Sequence, residues 1–547
     1  MPKKEKSKDR ARSAKDTGAA KEAKAAKTPR REKSSPKDRP RTAAVIDIGS
    51  NELRLKIAEN ARGKFKYIEN LTYPLSLGRD TFDTGKISFE KVEKTCAIIK
   101  NFLAATEEYG VGTEDVRVIA TTAVREAVNS EYILDQIKIK TGLDIRVIDD
   151  MDEKLYIYKL VSSMIDEELK QSAMMVYIGS GNIGMSVLEN GRIPFLQNVK
   201  IGSLRISEMF EDIQEYSGEF YVVLEEYLNS FTDILEGELP RHIKNFIVSG
   251  NEIAMVAELA QAEKNGVFYA ITKEKFTALY GDLKNKTTDR ISAEYRLPME
   301  KAEVLLPAMC IYSNLLRFTQ TDVIISPQIL LSDAIVYEML FPDEFAAINK
   351  EFNKNTVLSA RALAKKYGVI EGHSRKVEDF ALTIFDKMKK IHGMGAREKL
   401  LLQVAAVLHD IGKFVNLRNH YQHSYYIARG SDIVGLNQRE SEIVALICGY
   451  HSRLTPTLED ENYRKLGSFD RVLVSKLSAI LRISDSLDRS HTQKLDGLDA
   501  KLTETELILT MTTDKNTDLE NWAFNERAVF FEEVFGIKAS IRKKKVM

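Results

Sequence analysis

The sequence predicts an α/β protein in two lobes, followed by an all-α domain and a small closing β-α-β cap. Three observations point that way. Residues 42–342 alternate strand-like and helix-like stretches, which implies layered α/β architecture. A strand–glycine turn–strand unit occurs twice, around Asp47-Ile48-Gly49-Ser50-Asn51 and around Tyr177-Ile178-Gly179-Ser180-Gly181-Asn182. From 357 onward the apolar residues recur at helical spacing instead.

Residues 1–41 hold 16 Lys+Arg against 6 Asp+Glu and almost no large apolar side chains. Such a segment cannot bury enough surface to offset its ordering entropy and is expected to be disordered. It reads as a polyanion-touching arm or as a solvating tail. The first lobe, 42–173, opens on the first hairpin. Val92, Thr95, Cys96, Ile99, Phe102 and Leu103 then mark a helix over 87–109. Residues 116–120 read as a buried strand, and Thr121 as the cap of a short helix. Residues 145–148 read as a strand that runs through the acidic turn 149–153 into a helix bearing Leu155, Ile157, Tyr158 and Val161.

The second lobe, 174–342, holds the second hairpin and an aromatic-rich helix at 219–235. Strands at 246–250 and 322–327 and a helix at 332–340 complete it. Residues 343–356 read as a linker. In the helical domain, 357–495, Val377, Phe380, Ala381, Ile384, Phe385 and Met388 share one face. Residues 400–408 are apolar almost all round and read as a buried central helix. In the cap, 496–547, strands at 507–509 and 537–541 flank a helix with Trp522, Phe530, Phe531 and Phe535.

Composition excludes several classes. At 547 residues with 44% hydrophobic and 29% charged content, the chain reads as a soluble protein of two to four domains. Its formal charge of zero divides into +10 on 1–41 and −10 on the remainder. An acidic body argues against a nucleic-acid-binding surface. Cys96, Cys310 and Cys448 lie far apart with no CxxC, which excludes a zinc ribbon and a disulfide framework and fits a reducing, cytoplasmic setting. No apolar run reaches the roughly 18 residues of a membrane span. The basic N-terminus lacks the apolar core of a secretory signal.

Two constellations carry chemistry. The front one is Ser50, Asn51, Arg54, Thr122, Arg125 and the acids Asp152 and Glu153, with the turns at Gly179 and Gly181. Glycine turns let backbone N–H groups approach an anion, guanidinium pairs bidentately with phosphate, and a carboxylate can orient a water. The rear one is His373, His409-Asp410, Lys413, His423, His451 and Asp485. Imidazoles and carboxylates together suit Mn, Fe or Zn, and facing helices build such sites. His420 and His491 read as structural, His242 and His392 as exposed.

The front residues, in the strings AVIDIGSNELRL, IATTAVREAVN, IDDMDEKLYIY, NVKIGSLR and DVIISP, resemble the exopolyphosphatase / guanosine pentaphosphate phosphohydrolase family over about 42–342. The resemblance implies a two-lobed actin-like (sugar-kinase/Hsp70-like) fold. It implies Glu153 as general base, with Asp152 as a register alternative. It implies Ser50, Asn51, Arg54 and Arg125 as phosphate contacts, and Mg2+ in the cleft. The chain departs from that family's second loop, Asp-Ile-Gly-Gly-Gly-Ser-Thr-Glu, with Tyr177 and Gly184 in place of its two carboxylates. The later Gly-Gly-Thr loop has become Gly250-Asn251-Glu252. Behind it, Leu408-His409-Asp410-Ile411-Gly412-Lys413 with His373 and Asp485 is similar to the HD-type phosphohydrolases. That similarity implies metal ligands at His373, His409, Asp410, His423, His451 and Asp485, with Lys413 as oxyanion partner.

These resemblances imply a phosphohydrolase that releases terminal phosphate from polyphosphate or guanosine polyphosphate by metal-assisted attack of water. A homodimer without membrane association is expected. An alternative makes the front lobes a worn phosphate sensor that regulates the rear site. A sugar-kinase-like or chaperone-like ATPase is disfavoured by the altered later glycine loop.

Overall fold

In the computed structural model, apolar alternation organises the first sheet. β1 (Arg41–Ile48) and β2 (Glu52–Ala61) pair antiparallel, with Ile46 opposite Leu55 and Asp47 opposite Arg54. β3 (Lys64–Pro74), β4 (Val116–Ala120) and β5 (Ile145–Val147) complete the order β3-β2-β1-β4-β5. The structure describes residues 41–216, 220–235, 239–240 and 242–545. The basic tail, apart from Arg41, lies outside them, as does residue 219 of the aromatic-rich helix.

The second sheet repeats this plan. It contains β6 (Ser172–Ile178), β7 (Ile183–Glu189), β8 (Arg192–Val199), β9 (Asn245–Gly250), β10 (Glu263–Asn265), β11 (Phe268–Thr272) and β12 (Val323–Pro327). Five of these strands run β8-β7-β6-β9-β12, matching β3-β2-β1-β4-β5, and β11 and β10 extend the edge. Directions match too: the first two pairings are antiparallel and the next two parallel in each lobe. The glycine turns close alike, Gly49 N–H donating to Glu52 O and Gly179 N–H to Asn182 O. Equal topology therefore puts both turns at equivalent strand ends.

α1 (Asp150–Met164) grows from the acidic turn, with the Asp149 side chain accepting from Met151 N–H as N-cap. The expected side-chain cap at Thr121 is absent; its carbonyl accepts from Arg125 N–H instead. α2 (Leu331–Leu340) packs on β1 and α1.

The expected linker at 343–356 is instead part of a 25-residue helix, α3 (Pro342–Lys366). Pro342 sits in its first turn beside Asp343 and Glu344, all favourable there. Phe345, Phe352, Thr356, Ala360 and Ala364 form its buried stripe, against α1 and β8 at one end and the helical domain at the other. The polar residues between those positions cover the other face of the helix.

The helical domain contains α4 (Glu371–Lys387), α5 (Ala396–Leu408), α6 (His420–Arg429), α7 (Gln438–Tyr450) and α8 (Ser468–Ser486). The all-round apolar α5 is the central element, with Leu402, Val404, Ala405, Ala406 and Leu408 fully buried. The cap is β-β-α-β rather than the expected β-α-β. β13 (Gly497–Leu502) joins β14 (Glu506–Thr512) and β15 (Lys538–Lys544) around α9 (Asp518–Phe535). β13 was illegible because only Ala500 of its residues is buried. Leu507, Leu509, Phe524 and Phe531 enter the same apolar core as α4–α8, so cap and helical domain share one core. No helix among the described residues is long and apolar enough to cross a membrane.

Candidate functional site

The front cleft forms between the two glycine turns. Asp47, Gly49, Ser50, Arg54, Thr122, Glu153, Tyr177, Gly179 and Asn251 line a cavity of about 50 Å³. Ser50, Arg54, Glu153 and Gly179 thus converge as expected. Asn51, Arg125 and Gly181 do not line it. Asn51 O accepts from Leu75 N–H, and Gly181 O accepts from Arg205 Nε. Arg125 pairs with Asp150 at 3.0 Å and also bonds Ile148 O and Thr122. Of the two acids, Glu153 lines the cavity, whereas Asp152 accepts from Asn437 Nδ2 at 3.2 Å, toward the helical domain.

Positions 177 and 184, where the resemblance implies carboxylates, are occupied in different ways. Tyr177 donates its hydroxyl to Glu153 Oε1 at 2.7 Å. Burial, then the Glu153 charge, lift that hydroxyl well above its ordinary pKa, so it stays a donor. At position 184, a Cβ would stand 2.6 Å from Lys154 Cδ and 2.8 Å from the Tyr158 hydroxyl, so only glycine fits. Lys154 is fully buried and pairs with Asp150 at 2.9 Å; Asp150 also accepts from Arg125, Asn182 and Asn198. Burial pushes Asp47 up to about 7 despite the opposing pull of Arg54. Asp47 Oδ1 and Glu153 Oε2 are buried without a hydrogen-bond partner.

The rear cluster is assembled from five helix ends and one turn. His373 comes from α4, His409 and Asp410 from the end of α5, His420 from the start of α6, His451 from the end of α7 and Asp485 from α8. His373 Nε2 lies 3.2 Å from His409 Nε2 and 3.3 Å from Asp485 Oδ1. His420 Nε2 lies 3.1 Å from His451 Nε2. Asp410 sits between: its Oδ2 is 3.6 Å from His373 and His409, and its Oδ1 is 3.7 Å from His420 and His451.

Each imidazole is oriented from behind. Nδ1 of His409, His420 and His451 faces the carbonyls of Ala406, Leu417 and Cys448, and Nδ1 of His373 faces Asp488 at 2.9 Å. A proton held there leaves each Nε2 lone pair aimed inward, the tautomer a ligating histidine needs. Gly412 makes the approach possible. Its Cβ would fall 2.1 Å from His420 O, and its N–H bonds the Ser424 hydroxyl, which in turn bonds His409 O. Burial opposes ionisation of Asp410, but His409, His451 and Lys413 hold its carboxyl well below the ordinary range. Burial pulls His451 down to about 3.

His423 was expected as a ligand, but among the described residues no convergent group includes it. His420, three residues earlier on the first turn of α6, converges with Asp410 and His451 instead. His491 also lies at the cluster, stacked 3.7 Å from His373. His392, expected exposed, is buried and bonds Phe385 O. Lys413 lies on a 3-10 turn and pairs with Asp410 at 2.5 Å. Near-sequence histidines gave no signal to choose between 420 and 423; the packing of α6 against the Gly412 turn made the choice.

Residues 56–341 match the model of the Ppx/GppA phosphatase family, and residues 357–526 match Ppx/GppA phosphatase, domain III. A guanosine-5'-triphosphate,3'-diphosphate pyrophosphatase of Vibrio atlanticus is 22% identical over 482 residues, 87% of this chain and 93% of that protein. A bifunctional 3-dehydroquinate synthase/phosphatase of Fusobacterium nucleatum is 24% identical over 299 residues, 52% of this chain and 44% of that protein. The solved exopolyphosphatase from Cytophaga hutchinsonii is similar over 55% of this chain and 98% of its own, at 22% identity and a TM-score of 0.49. With one model spanning both lobes and a second spanning the helical domain, the chain belongs to the Ppx/GppA phosphatase family.

Proposed function

We propose that this chain is a phosphoanhydride hydrolase whose reacting water is handled in the helical domain, an HD-type site, while the actin-like front lobes bind a phosphate-rich ligand and regulate it. The observation that carries this is Asp410, which turns one oxygen to each of two imidazole pairs. The donor set fits two divalent ions: nitrogen and carboxylate ligands suit Mn, Fe or Zn, and every Nδ1 is already engaged. His373, His409 and Asp485 would hold one ion, His420 and His451 the other, with Asp410 shared. Ions there would lower the pKa of a coordinated water and neutralise phosphate charge. Lys413 and Arg489, at the edge of the cluster beside Asp410 and Asp485, offer cations to the phosphate oxygens. Asp488 holds the His373 ring in place.

The front cleft supports binding better than turnover. Ser50 and the Gly49 and Gly179 turns suit phosphate oxygens, and Asp47 with Glu153 suits a magnesium ion that arrives with phosphates. Yet Glu153 is tied by Tyr177, and Lys154 fills the space a second-loop carboxylate would need. The substrate is a chain of linked phosphates, inorganic polyphosphate or a guanosine polyphosphate, the classes in the names of the relatives. Front and rear meet where Asp152, one residue before Glu153, bonds Asn437, the N-cap of the helix that leads to His451.

Phosphate release from polyphosphate and guanosine tetraphosphate, with metal content read in parallel, tests this. His409→Ala and Asp410→Ala are expected to lose bound metal and more than about 100-fold in rate. Glu153→Gln should change the rate by less than about tenfold. The reverse pattern moves the chemistry to the front cleft.

A further inference from the structure

Against the second sheet lies a cavity of about 320 Å³ that the hydrolytic reading does not use. One wall is the edge of the sheet. Where β7 pairs with β8, Ile183 stands opposite Val199 and Met185 opposite Gln197. Residues directly opposite share a face, and alternate residues along a strand do too, so all four side chains turn to the same side. Gln197 is the polar member of that set. The other wall comes from the helices Phe220–Leu235 and Met299–Leu316, through Leu228 and Leu315 among others. The volume is at the lower end of ligand pockets, which run from about 300 Å³ upward.

Two polar groups in this lining are unmatched. Asn314 is only 9% exposed, and its Oδ1 is buried without a hydrogen-bond partner among the described residues, as is Gln197 Oε1. Neighbours fix which way the Asn314 amide faces. Arg317 Nη1 donates to Asn229 Oδ1 at 2.9 Å, and a guanidinium has no acceptor, so that oxygen is committed as an acceptor. Asn314 must therefore offer it Nδ2, at 2.8 Å, which leaves Asn314 Oδ1 unused. A carbonyl oxygen kept from water without a donor is unfavourable, so such groups are normally matched by protein, water or ligand. Phosphate does not suit this cavity. Apolar walls and bare carbonyl oxygens repel an anion, and Lys200, the cation of the lining, is exposed to solvent.

We propose that this cavity binds a small neutral molecule with a hydrocarbon body and an N–H or O–H donor, the chemistry that a phenol represents. The body buries against Met185, Leu228 and Leu315, and the donor meets Asn314 Oδ1. No residue of the front cavity or of the imidazole cluster lines this one. The assignment is therefore independent of the hydrolytic reading and adds a ligand of a different class.

The test uses the full chain and two probes, 4-methylphenol and 4-methylanisole, which has the same ring but no donor. Their binding is measured by calorimetry, and each variant's unfolding midpoint is read beside it. Wild type is expected to bind 4-methylphenol about fivefold or more tighter than 4-methylanisole. Asn314→Leu keeps a branched side chain but loses the acceptor, and should bring the two affinities together. Gln197→Met, at a half-buried position, is the milder change and should lower the preference part of the way. Leu228→Trp fills the cavity and should abolish binding of both probes. If Asn314→Leu or Leu228→Trp does not fold, Gln197→Met decides alone. No binding of 4-methylphenol by wild type leaves the cavity to water and overturns the proposal. Equal affinity for the two probes, a preference unmoved by the side-chain changes at 314 and 197, or binding that survives Leu228→Trp overturns it too. Phosphate release by the same samples reports separately on the hydrolytic reading.

Discussion

Asp47 shows how one buried atom sets a pH dependence. Burial disfavours its charge and pushes its carboxyl up to about 7 in the folded chain, against 3.8 for an aspartate in water. Between those values the folded state holds a proton that the unfolded chain has released. Folding stability therefore falls as pH rises through that window, and the loss is complete above about 7. Asp47→Asn removes the ionisable group. Its unfolding midpoint should exceed wild type most at pH 8, by roughly 2–4 °C for each kcal/mol relieved, with the gain shrinking toward pH 4. Calorimetry across pH 4–8 checks it; a gain that grows toward acid would contradict the burial account. Gly184 makes a second case. With Lys154 Cδ 2.6 Å from the position of a new Cβ, Gly184→Ala should cost about 1–3 kcal/mol in a denaturant titration. A neutral result would mean that the buried lysine can move aside.

Among elements, α7 links the two halves of the molecule. Asn437 caps it by accepting from Glu440 N–H at 2.9 Å, and its amide donates to Asp152 on α1. Glu153, the front acid, is the next residue on α1, and His451, a rear imidazole, is the C-cap of α7. One side chain thus ends one helix and grips another. Asn437→Ala should cost about 1 kcal/mol through the lost cap, whereas Asp152→Ala leaves the cap intact. If the contact transmits regulation, both variants lose the response of phosphate release to a second phosphate ligand. A loss confined to Asn437→Ala would assign the effect to helix capping alone.

The whole molecule has two lobes of one topology and a helical domain whose core also contains the cap. Because cap and helical domain share that core, they should unfold together. Ions held by the rear cluster, as proposed, would bind the folded state alone and so stabilise it by mass action, about 2.7 kcal/mol at 100 times the dissociation constant. Manganese or zinc should raise the unfolding midpoint of the helical domain, a chelator should lower it, and Asp410→Ala should abolish both shifts. A midpoint indifferent to metal and chelator would refute convergence of these ligands on an ion.

Periodicity and composition, read along the chain, were enough for the alternating lobes, the repeated glycine turns and the buried central helix; the HD-type resemblance singled out six rear positions, five of which converge in space. His373, His409, Asp410, His451 and Asp485 stand out because they fall in the order of the HD-type motif, and all five are buried. Packing decided what local pattern leaves open. His420 rather than His423 faces the cluster because the Gly412 turn presses on the first turn of α6. Asp152 and Glu153 part company because α1 turns one toward Asn437 and the other toward Tyr177. The supposed linker is helix because its Phe345 and Phe352 find a buried surface. A side chain's chemistry is local and legible in one dimension; the direction in which it points is set by contacts between residues tens to hundreds of positions apart.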